Sequence, residues 1–223
     1  MLPELLERIY ATGSVEGADG QPVPAFPASL PRAHAEELVR LVRETGARST
    51  LETGMAYGIS TVAMASATGP DGRHVAIDPN QRSDFGGIGL LNAERAGVAD
   101  RVRVVEARSD EALPALVAEG LELDLVLIDG MHLFDYTLVD FFHADRMLRP
   151  GGVAVFHDTW MPAVRQAVDF VLRNRAYTRL DAGDDAMWAL RKTGEDDRAW
   201  DFHRDFQPRP PRRAALRALF RRR

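Results

Sequence analysis

Residues 51–61 read LETGMAYGIST, and this stretch joins a short apolar strand to a helix through a loop that contains Gly54 and Gly58. Glycine lets a backbone turn tightly and approach a ligand closely. The loop lacks the GK[ST] ending of a phosphate-binding P-loop, and it lacks the G-x-G-x-x-G spacing of a dinucleotide site. A glycine loop beyond the end of a first strand predicts a ligand-binding loop at residues 52–60 of an open α/β sheet.

Short apolar strands alternate with amphipathic helices around this loop. The predicted strands are 48–53, 73–78, 102–106, 123–129 and 151–157, and the predicted helices are 58–68, 87–97, 110–118, 134–148 and 161–174. Regular alternation predicts an α/β fold with a doubly wound, mostly parallel sheet and helices on both faces. Two further strands, at 177–181 and 186–191, predict an antiparallel closure near the carboxyl end.

The rest of the chain divides into a helical start and a basic end. We expect a helical cap at residues 1–46, an α/β domain at 47–192 and an extension at 193–223. The cap contains predicted helices at Leu2–Tyr10 and from Pro31 to about Thr45. The extension ends in seven arginines from Pro208 onward without an acid, and this composition predicts a disordered tail.

The composition excludes several classes of partner. Apolar residues make up 45% of the chain and charged residues 27%, which is ordinary for a globular protein. The net charge is −5 despite the basic tail, so the acidic body argues against nucleic-acid binding. No apolar run is long enough for a membrane span, the acidic amino terminus does not resemble a signal peptide, and cysteine is absent. We therefore expect a cytoplasmic protein without a thiolate site, and a homodimer is compatible with these observations.

Polar residues at the ends of the first three strands favour a cationic nucleoside cofactor. Glu52 precedes the loop, where a carboxylate is unfavourable beside a pyrophosphate but compatible with the sulfonium of S-adenosylmethionine. Asp78 lies 20 residues after Gly58 and can accept hydrogen bonds from both ribose hydroxyls. After the third strand, Asp110 either caps the next helix or meets an adenine ring together with Ser109.

Four ionisable residues follow the fourth and fifth strands. Asp129 and His132 end the fourth strand, and His157 and Asp158 end the fifth. Such groups at the tips of apolar strands are costly to bury without partners or a metal. The sequence therefore predicts that they form the chemical end of the site, beside the group that reacts.

Five motifs together resemble a known family. They are LETGMAYGIST, HVAIDPN, RVRVVEARSDEALPAL, DLVLIDGMHLFDY and LRPGGVAVFHDT, and they cover about residues 47–160. Their order and spacing resemble the class I S-adenosylmethionine-dependent methyltransferases, which have a Rossmann-like fold. They look closest to the catechol-type and macrolide-sugar O-methyltransferase branch. The resemblance implies a set of cofactor-binding residues: Glu52, Gly54, Tyr57, Gly58 and Ser60 for the methionine portion, Asp78 for the ribose, Ser109 and Asp110 for the adenine, and Asp129.

The resemblance also implies a divalent metal, magnesium or manganese, on Asp129, His157 and Asp158. The position three residues after the first acid supplies the base in these enzymes, and here it is His132, whose ordinary pKa of about 6.5 suits proton transfer near neutrality. His157 departs from the family, which more often has an acid there. An imidazole weakens the case for magnesium and leaves room for manganese, iron or zinc. Alternatively, His157 orients Asp158, acts as a second base, or shares a metal with His132.

These observations predict a methyltransferase that methylates a hydroxyl of a small molecule, a phenol or a sugar of a natural product. Trp160 and Met161 are candidates for a wall of the acceptor pocket. One alternative is an NAD-dependent oxidoreductase, against which the missing G-x-G-x-x-G counts. The other is a non-catalytic protein that binds a nucleotide cofactor, in which Asp129, His132 and Asp158 would be dispensable.

Overall fold

The computed structural model describes residues 1–208, so the predicted basic tail from Arg209 onward lies outside the described residues. The helices are α1 (Glu4–Thr12), α2 (Arg32–Thr45), α3 (Ile59–Ala67), α4 (Ile88–Arg95), α5 (Ser109–Ala118), α6 (Phe134–Met147) and α7 (Pro162–Asn174). The strands are β1 (Ser14–Glu16), β2 (Pro22–Pro24), β3 (Ser49–Thr53), β4 (Arg73–Ile77), β5 (Val102–Val105), β6 (Leu123–Ile128), β7 (Leu148–His157), β8 (Tyr177–Gly183) and β9 (Met187–Lys192).

Seven of these strands form one sheet in the order β5-β4-β3-β6-β7-β9-β8. Strands β3 to β7 pair in parallel, and β9 is antiparallel to both of its neighbours, β7 and β8. The predicted Rossmann-like sheet with an antiparallel strand near the carboxyl end is therefore confirmed. The chain runs outward from β3 in both directions, so the carboxyl ends of β3 and β6 form the switch point at which such sheets bind ligands.

The sheet separates two apolar cores. Along β6, Leu125 and Leu127 face the core beneath α1, α2 and α3, while Val126 and Ile128 face the core beneath α5, α6 and α7. Successive side chains of a strand point to opposite faces, so a central strand covered on both sides must be apolar throughout. This requirement explains the continuous apolar runs in the sequence and keeps the polar groups at the ends of the strands.

The amino-terminal segment packs on the same sheet. Leu6 of α1 and Leu38 of α2 are fully buried in the core that also contains Leu125. The two predicted helices are confirmed, but the sequence analysis missed the β1–β2 hairpin, in which Val15 pairs with Val23. The predicted boundary between residues 1–46 and 47–192 stays a prediction. Within residues 1–208, no helix is both long and apolar enough to cross a membrane.

Candidate active site

A cavity of about 370 Å³ lies at the carboxyl ends of the central strands. It is lined by eight of the predicted site residues: Gly54, Ser60, Asp78, Ser109, Asp129, His132, His157 and Asp158. The hydrogen bonding of the sheet continues past the strand ends and places several of these residues. The Gly54 N–H donates to the Ile77 carbonyl at 2.9 Å, and the Asp129 N–H donates to the Thr53 carbonyl at 3.1 Å.

Gly54 joins the cofactor loop to the chemical end. Its φ of 90° lies in the region that favours glycine, and a Cβ atom there would lie 2.3 Å from the carbonyl oxygen of Asp129. Gly58 also has a positive φ, but a Cβ atom at this position would meet the backbone of Gly89. Gly58 begins α3 and does not line the cavity. The two glycines therefore permit close packing of backbone on backbone.

Asp78 is buried and organises the loop. Its Oδ2 accepts hydrogen bonds from the N–H groups of Met55 at 3.1 Å and Ala56 at 2.7 Å, and its Oδ1 accepts one from the N–H of Asn80 at 2.8 Å. A carboxylate has about four lone-pair positions, and these three backbone N–H groups occupy three of them. A contact from Asp78 to both hydroxyls of a ribose, as predicted, would share the carboxylate with these loop contacts.

Four residues predicted to bind the cofactor lie elsewhere, and Glu52 is the largest departure. Its side chain is fully buried and does not line the cavity. Glu52 accepts hydrogen bonds from the Thr61 hydroxyl and from His74 Nε2, the latter at 3.2 Å. It fixes α3 against β3, and its contact with the methionine portion of the cofactor stays a prediction.

The other three departures are Tyr57, Gly58 and Asp110, none of which lines the cavity. The Tyr57 ring packs edge-on against Phe85, with ring centroids 5.3 Å apart. The Asp110 carboxylate pairs with Arg108 through two hydrogen bonds of 3.0 Å each. Asp110 therefore holds Arg108 in place, and the adenine contact predicted for Asp110 is not supported by its position.

Sequence reasoning missed two kinds of cavity residue. Arg108 lines the cavity and donates a hydrogen bond to the hydroxyl of Tyr136, which also lines it. The segment Pro27–Leu30, which precedes α2, lines the cavity as well. No local pattern marks either contact. The only signal is that Arg108 stands directly before the predicted Ser109.

Hydrogen bonds connect the four residues of the chemical end. Asp129 Oδ1 accepts hydrogen bonds from His132 Nε2 at 3.3 Å and from His157 Nδ1 at 3.1 Å. His132 Nε2 also lies 3.0 Å from Asp158 Oδ2. The other Asp158 oxygen accepts a 2.7 Å hydrogen bond from the indole N–H of Trp160. The structure thus brings all four predicted residues together, with His132 between two carboxylates.

Two imidazoles lie beside the carboxylates of the predicted metal site, whose ligand set stays a prediction. Asp129, His132 and Asp158 each offer a ligand atom, and these atoms lie within 4.8 Å of one another. His157 Nε2 faces Nδ1 of His34 at 2.9 Å, and its Nδ1 lies 3.1 Å from Asp129 Oδ1 and 3.5 Å from Asp158 Oδ2. Both ring nitrogens of His157 are therefore engaged by protein groups. The alternative in which His132 joins the ligands fits this geometry.

The charges of the site shift the pKa values of its residues. Burial alone would raise the pKa of Asp129, but hydrogen bonds from His132 and His157 outweigh it and hold this pKa below its usual value. The same hydrogen bond to Asp129 raises the pKa of His132. Burial lowers the pKa of His157, yet Asp129 outweighs it and the pKa is raised. The pKa of His132 in this arrangement therefore lies above the ordinary value of an imidazole.

Comparison with known proteins agrees with this geometry. Residues 51–159 match a family model described as a methyltransferase domain. The O-methyltransferase TomG from Streptomyces achromogenes, solved with S-adenosylmethionine, superposes with a TM-score of 0.65 at 26% identity over 75% of this chain and 82% of TomG. Residues 51–159 therefore form a methyltransferase domain, and its motifs resemble those of the class I S-adenosylmethionine-dependent methyltransferases. The predicted family is confirmed.

Two more relatives are similar to this chain. The catechol O-methyltransferase of Mycobacterium tuberculosis is 34% identical over 145 residues, which is 59% of this chain and 63% of the relative. An O-methyltransferase from Bacillus cereus, solved with S-adenosylhomocysteine, shares the fold with a TM-score of 0.68 at 21% identity over 84% of this chain and 90% of that one. The methyltransferase spans 49–65% of the length of such curated relatives.

Proposed function

We propose that this methyltransferase transfers the methyl group of S-adenosylmethionine to a hydroxyl oxygen of a small molecule, with phenols as the acceptor class. The observation that carries the proposal is the convergence of Asp129, His132 and Asp158 at the end of a cavity that also borders the glycine loop. Methyl transfer is an in-line displacement, so the protein must mainly align the acceptor and remove its proton. A hydroxyl acceptor needs such a base.

The cofactor fits the part of the cavity formed by β3, β4 and α5. Gly54 and Ser60 border the proposed methionine position, Asp78 the ribose and Ser109 the adenine. The cavity volume of about 370 Å³ lies within the range of about 300–1,000 Å³ that is usual for ligand pockets. When bound, S-adenosylmethionine supplies a methyl carbon whose bond to sulfur breaks, with the electron pair returning to sulfur, as the bond to the acceptor oxygen forms.

His132 is the proposed proton acceptor. Its Nε2 faces both carboxylates at the end of the cavity, so the imidazolium that forms on proton transfer is stabilised by Asp129 and Asp158. His157 shares Oδ1 of Asp129 with His132, and Trp160 contacts the other oxygen of Asp158. These outer contacts keep both carboxylates directed at His132 and at the acceptor oxygen.

The donor set also fits a divalent metal. Asp129 and Asp158 would hold it, and His132, whose Nε2 lies between them, would either become a third ligand or remain the base. Two carboxylates and an imidazole suit manganese, iron or zinc better than magnesium, which prefers oxygen ligands alone. When bound, such a metal supplies a Lewis acid that lowers the pKa of the acceptor hydroxyl.

Apolar side chains beside the chemical end favour an aromatic acceptor. Met131, which lines the cavity, is 56% exposed, and Trp160, which contacts Asp158, is 62% exposed. Leu133 is exposed next to them. Exposed large apolar residues around a polar site are typical of surfaces that bind an apolar ligand. Met161, expected to join this wall, instead packs against the core.

Turnover with labelled S-adenosylmethionine tests the proposal. Catechol-type phenols, sugars and macrolides are offered as acceptors, each with manganese, with magnesium or with an excess of chelator. We expect methylation of phenols on oxygen, a loss of turnover in chelator, and better recovery with manganese than with magnesium. Full turnover in chelator would exclude the metal, and a product methylated on nitrogen or carbon would overturn the acceptor class.

Calorimetry tests the cofactor separately. Asp78→Ala removes both the loop contacts and the ribose partner, so we expect affinity for S-adenosylmethionine to fall by roughly 5- to 150-fold. Asp71→Ala, at an exposed aspartate just before β4, is the matched control and should bind as wild type does. Binding of NAD without binding of S-adenosylmethionine would contradict the proposed cofactor.

A further inference from the structure

A buried histidine outside the cavity contacts the chemical end from the amino-terminal segment. His34 lies on α2 and is only 5% exposed. Its Nδ1 lies 2.9 Å from His157 Nε2, and the two rings meet edge-on with centroids 5.0 Å apart. Its Nε2 lies 3.2 Å from Oδ2 of Asp184, in the turn between β8 and β9. Neither His34 nor Asp184 lines the cavity.

These contacts form a continuous line from the surface to the site: Asp184, His34, His157 and Asp129. Both ends are carboxylates, which only accept hydrogen bonds when ionised. His34 Nε2 and His157 Nδ1 must therefore each carry a hydrogen, and a further hydrogen lies between the two rings. With these contacts, only one orientation of the His157 ring gives both of its nitrogens a hydrogen-bond partner.

We propose that His34 is a positioning residue, which fixes His157 in the orientation that holds Asp129 toward His132. Asp129 Oδ1 is shared by His132 at 3.3 Å and His157 at 3.1 Å, so a turn of the His157 ring would release one side of this buried carboxylate. Misplacement of a reacting group by about 1 Å can cost about 100-fold in rate. The effect on rate rests on the proposed function, whereas the orientation of His157 is a property of the folded chain.

A second contact between the same two elements separates positioning from general packing. Glu37, one turn after His34 on α2, accepts a hydrogen bond from the Gly183 N–H at 3.2 Å. It therefore also joins α2 to the β8–β9 turn, but it does not contact His157. Glu37→Gln replaces the charged acceptor of this hydrogen bond by a weaker neutral one and removes the ion pair with Arg40. If His34 only fastened α2 to this turn, Glu37→Gln would therefore also lower the rate.

The test compares His34→Leu, His34→Asn and the control Glu37→Gln. Leucine removes both polar contacts, whereas the amide of asparagine presents a polar atom at the Nδ1 position and keeps a partner for His157. We expect His34→Leu to lower kcat roughly tenfold or more with the KM for S-adenosylmethionine unchanged, because a buried polar atom of His157 loses its partner. His34→Asn should restore most of the rate, and Glu37→Gln should stay within about twofold of wild type.

Nitrogen-15 NMR of the labelled histidine rings reads the orientation directly, with His157 assigned from a His157→Asn variant. We expect the His157 signals to change in His34→Leu and to stay close to wild type in Glu37→Gln. Asp184→Asn gives a second readout, since its amide N–H would donate to His34 Nε2 and move the His34 hydrogen to Nδ1. The His157 Nε2 signal should then shift toward that of a hydrogen-bond acceptor.

Unchanged His157 signals in His34→Leu would overturn the proposal, as would equal losses of kcat in His34→Leu and Glu37→Gln. If His34→Leu does not fold, Asp184→Asn provides the test. Unchanged His157 signals in Asp184→Asn would then overturn the proposal. If no acceptor is methylated, the NMR result still decides the role of His34, and the missing turnover counts against the proposed function alone.

Discussion

The two ends of the cavity are built in different ways. At the end formed by β3 and β4, most contacts involve backbone groups. Asp78 accepts hydrogen bonds from three backbone N–H groups, and Gly54 packs against the carbonyl of Asp129. At the end formed by β6 and β7, side chains contact side chains, and His132 shares Asp129 with His157. Strand register therefore fixes the first end, whereas the second depends on a network that one substitution can rearrange.

Removal of His132 tests the side-chain end most severely. We expect His132→Ala to lower kcat by roughly 10²- to 10⁴-fold, because the acceptor hydroxyl loses its base. The affinity for S-adenosylmethionine, measured by calorimetry, should stay near wild type because the glycine loop does not depend on this side chain. His203→Ala is the control, since this histidine is exposed and does not line the cavity.

Metal affinity of the same variant distinguishes two roles for His132. A base can be removed while Asp129 and Asp158 still bind manganese, so titration of His132→Ala with manganese should show retained binding. A complete loss of manganese binding would mean that His132 is a ligand. Full turnover of His132→Ala would remove it from the mechanism in either role.

The pH dependence of His132 tests the charge balance at this end. In the metal-free protein, the hydrogen bond to Asp129 raises the pKa of His132, so its NMR titration should have a midpoint above about 6.5. The neutral ring is the base, and turnover without metal should therefore increase as pH rises through this midpoint. The contribution of the His132–Asp129 pair to folding stability has the opposite pH dependence. It is complete below the pKa that His132 has in the unfolded chain, and it is lost as pH rises through the higher pKa of the folded protein. A midpoint at or below 6.5 would contradict the arrangement.

Gly54→Ala should damage both ends at once. The added Cβ would lie 2.3 Å from the Asp129 carbonyl oxygen, so either the loop or Asp129 must move. We expect affinity for S-adenosylmethionine to fall by roughly tenfold, with a smaller loss of kcat, and overpacking to destabilise the fold by about 1–3 kcal/mol. Gly69→Ala is the control, because Gly69 has a similar φ of 81° and open space around it. Equal effects in Gly54→Ala and Gly69→Ala would mean that the positive φ, and not the contact with Asp129, causes the loss of stability and affinity.

The contrast between the two ends also explains what the sequence could predict. Gly54, Asp78 and Asp129 each stand one residue beyond a strand, so the strand assignments and the sheet topology were enough to place them at the cavity. The absence of Glu52 from the cavity lining was not predicted, because the family motif does not say which face of the sheet its side chain takes. Side-chain direction needs the register as well as the strand.

The partners of His157 could not be predicted in the same way. Its contact with His34 joins residues 123 positions apart, and only the packing of α2 against the sheet brings them together. Periodicity and motif spacing carry no information about such a contact.

Trp160 is expected to have the smallest effect of the residues compared, and it tests how rigid the side-chain end is. Asp158 has a φ of 53°, a strained value for a residue other than glycine, and its Oδ1 accepts the 2.7 Å hydrogen bond from Trp160 Nε1. Trp160→Phe keeps an aromatic surface but removes this donor. We expect kcat to fall by roughly two- to fivefold, the cost of one partly exposed hydrogen bond, with the KM for a phenolic acceptor nearly unchanged.

The matched control is Trp200→Phe, since Trp200 is 87% exposed and packs on His203 away from the cavity. A rise in acceptor KM without a change in kcat would make Trp160 part of the acceptor wall alone. No effect on either constant would mean that His132 suffices to hold Asp158, and the side-chain end would then be less dependent on its outer contacts than the geometry implies. A loss of kcat much larger than fivefold would mean that Trp160 determines the orientation of Asp158, as His157 is proposed to do for Asp129.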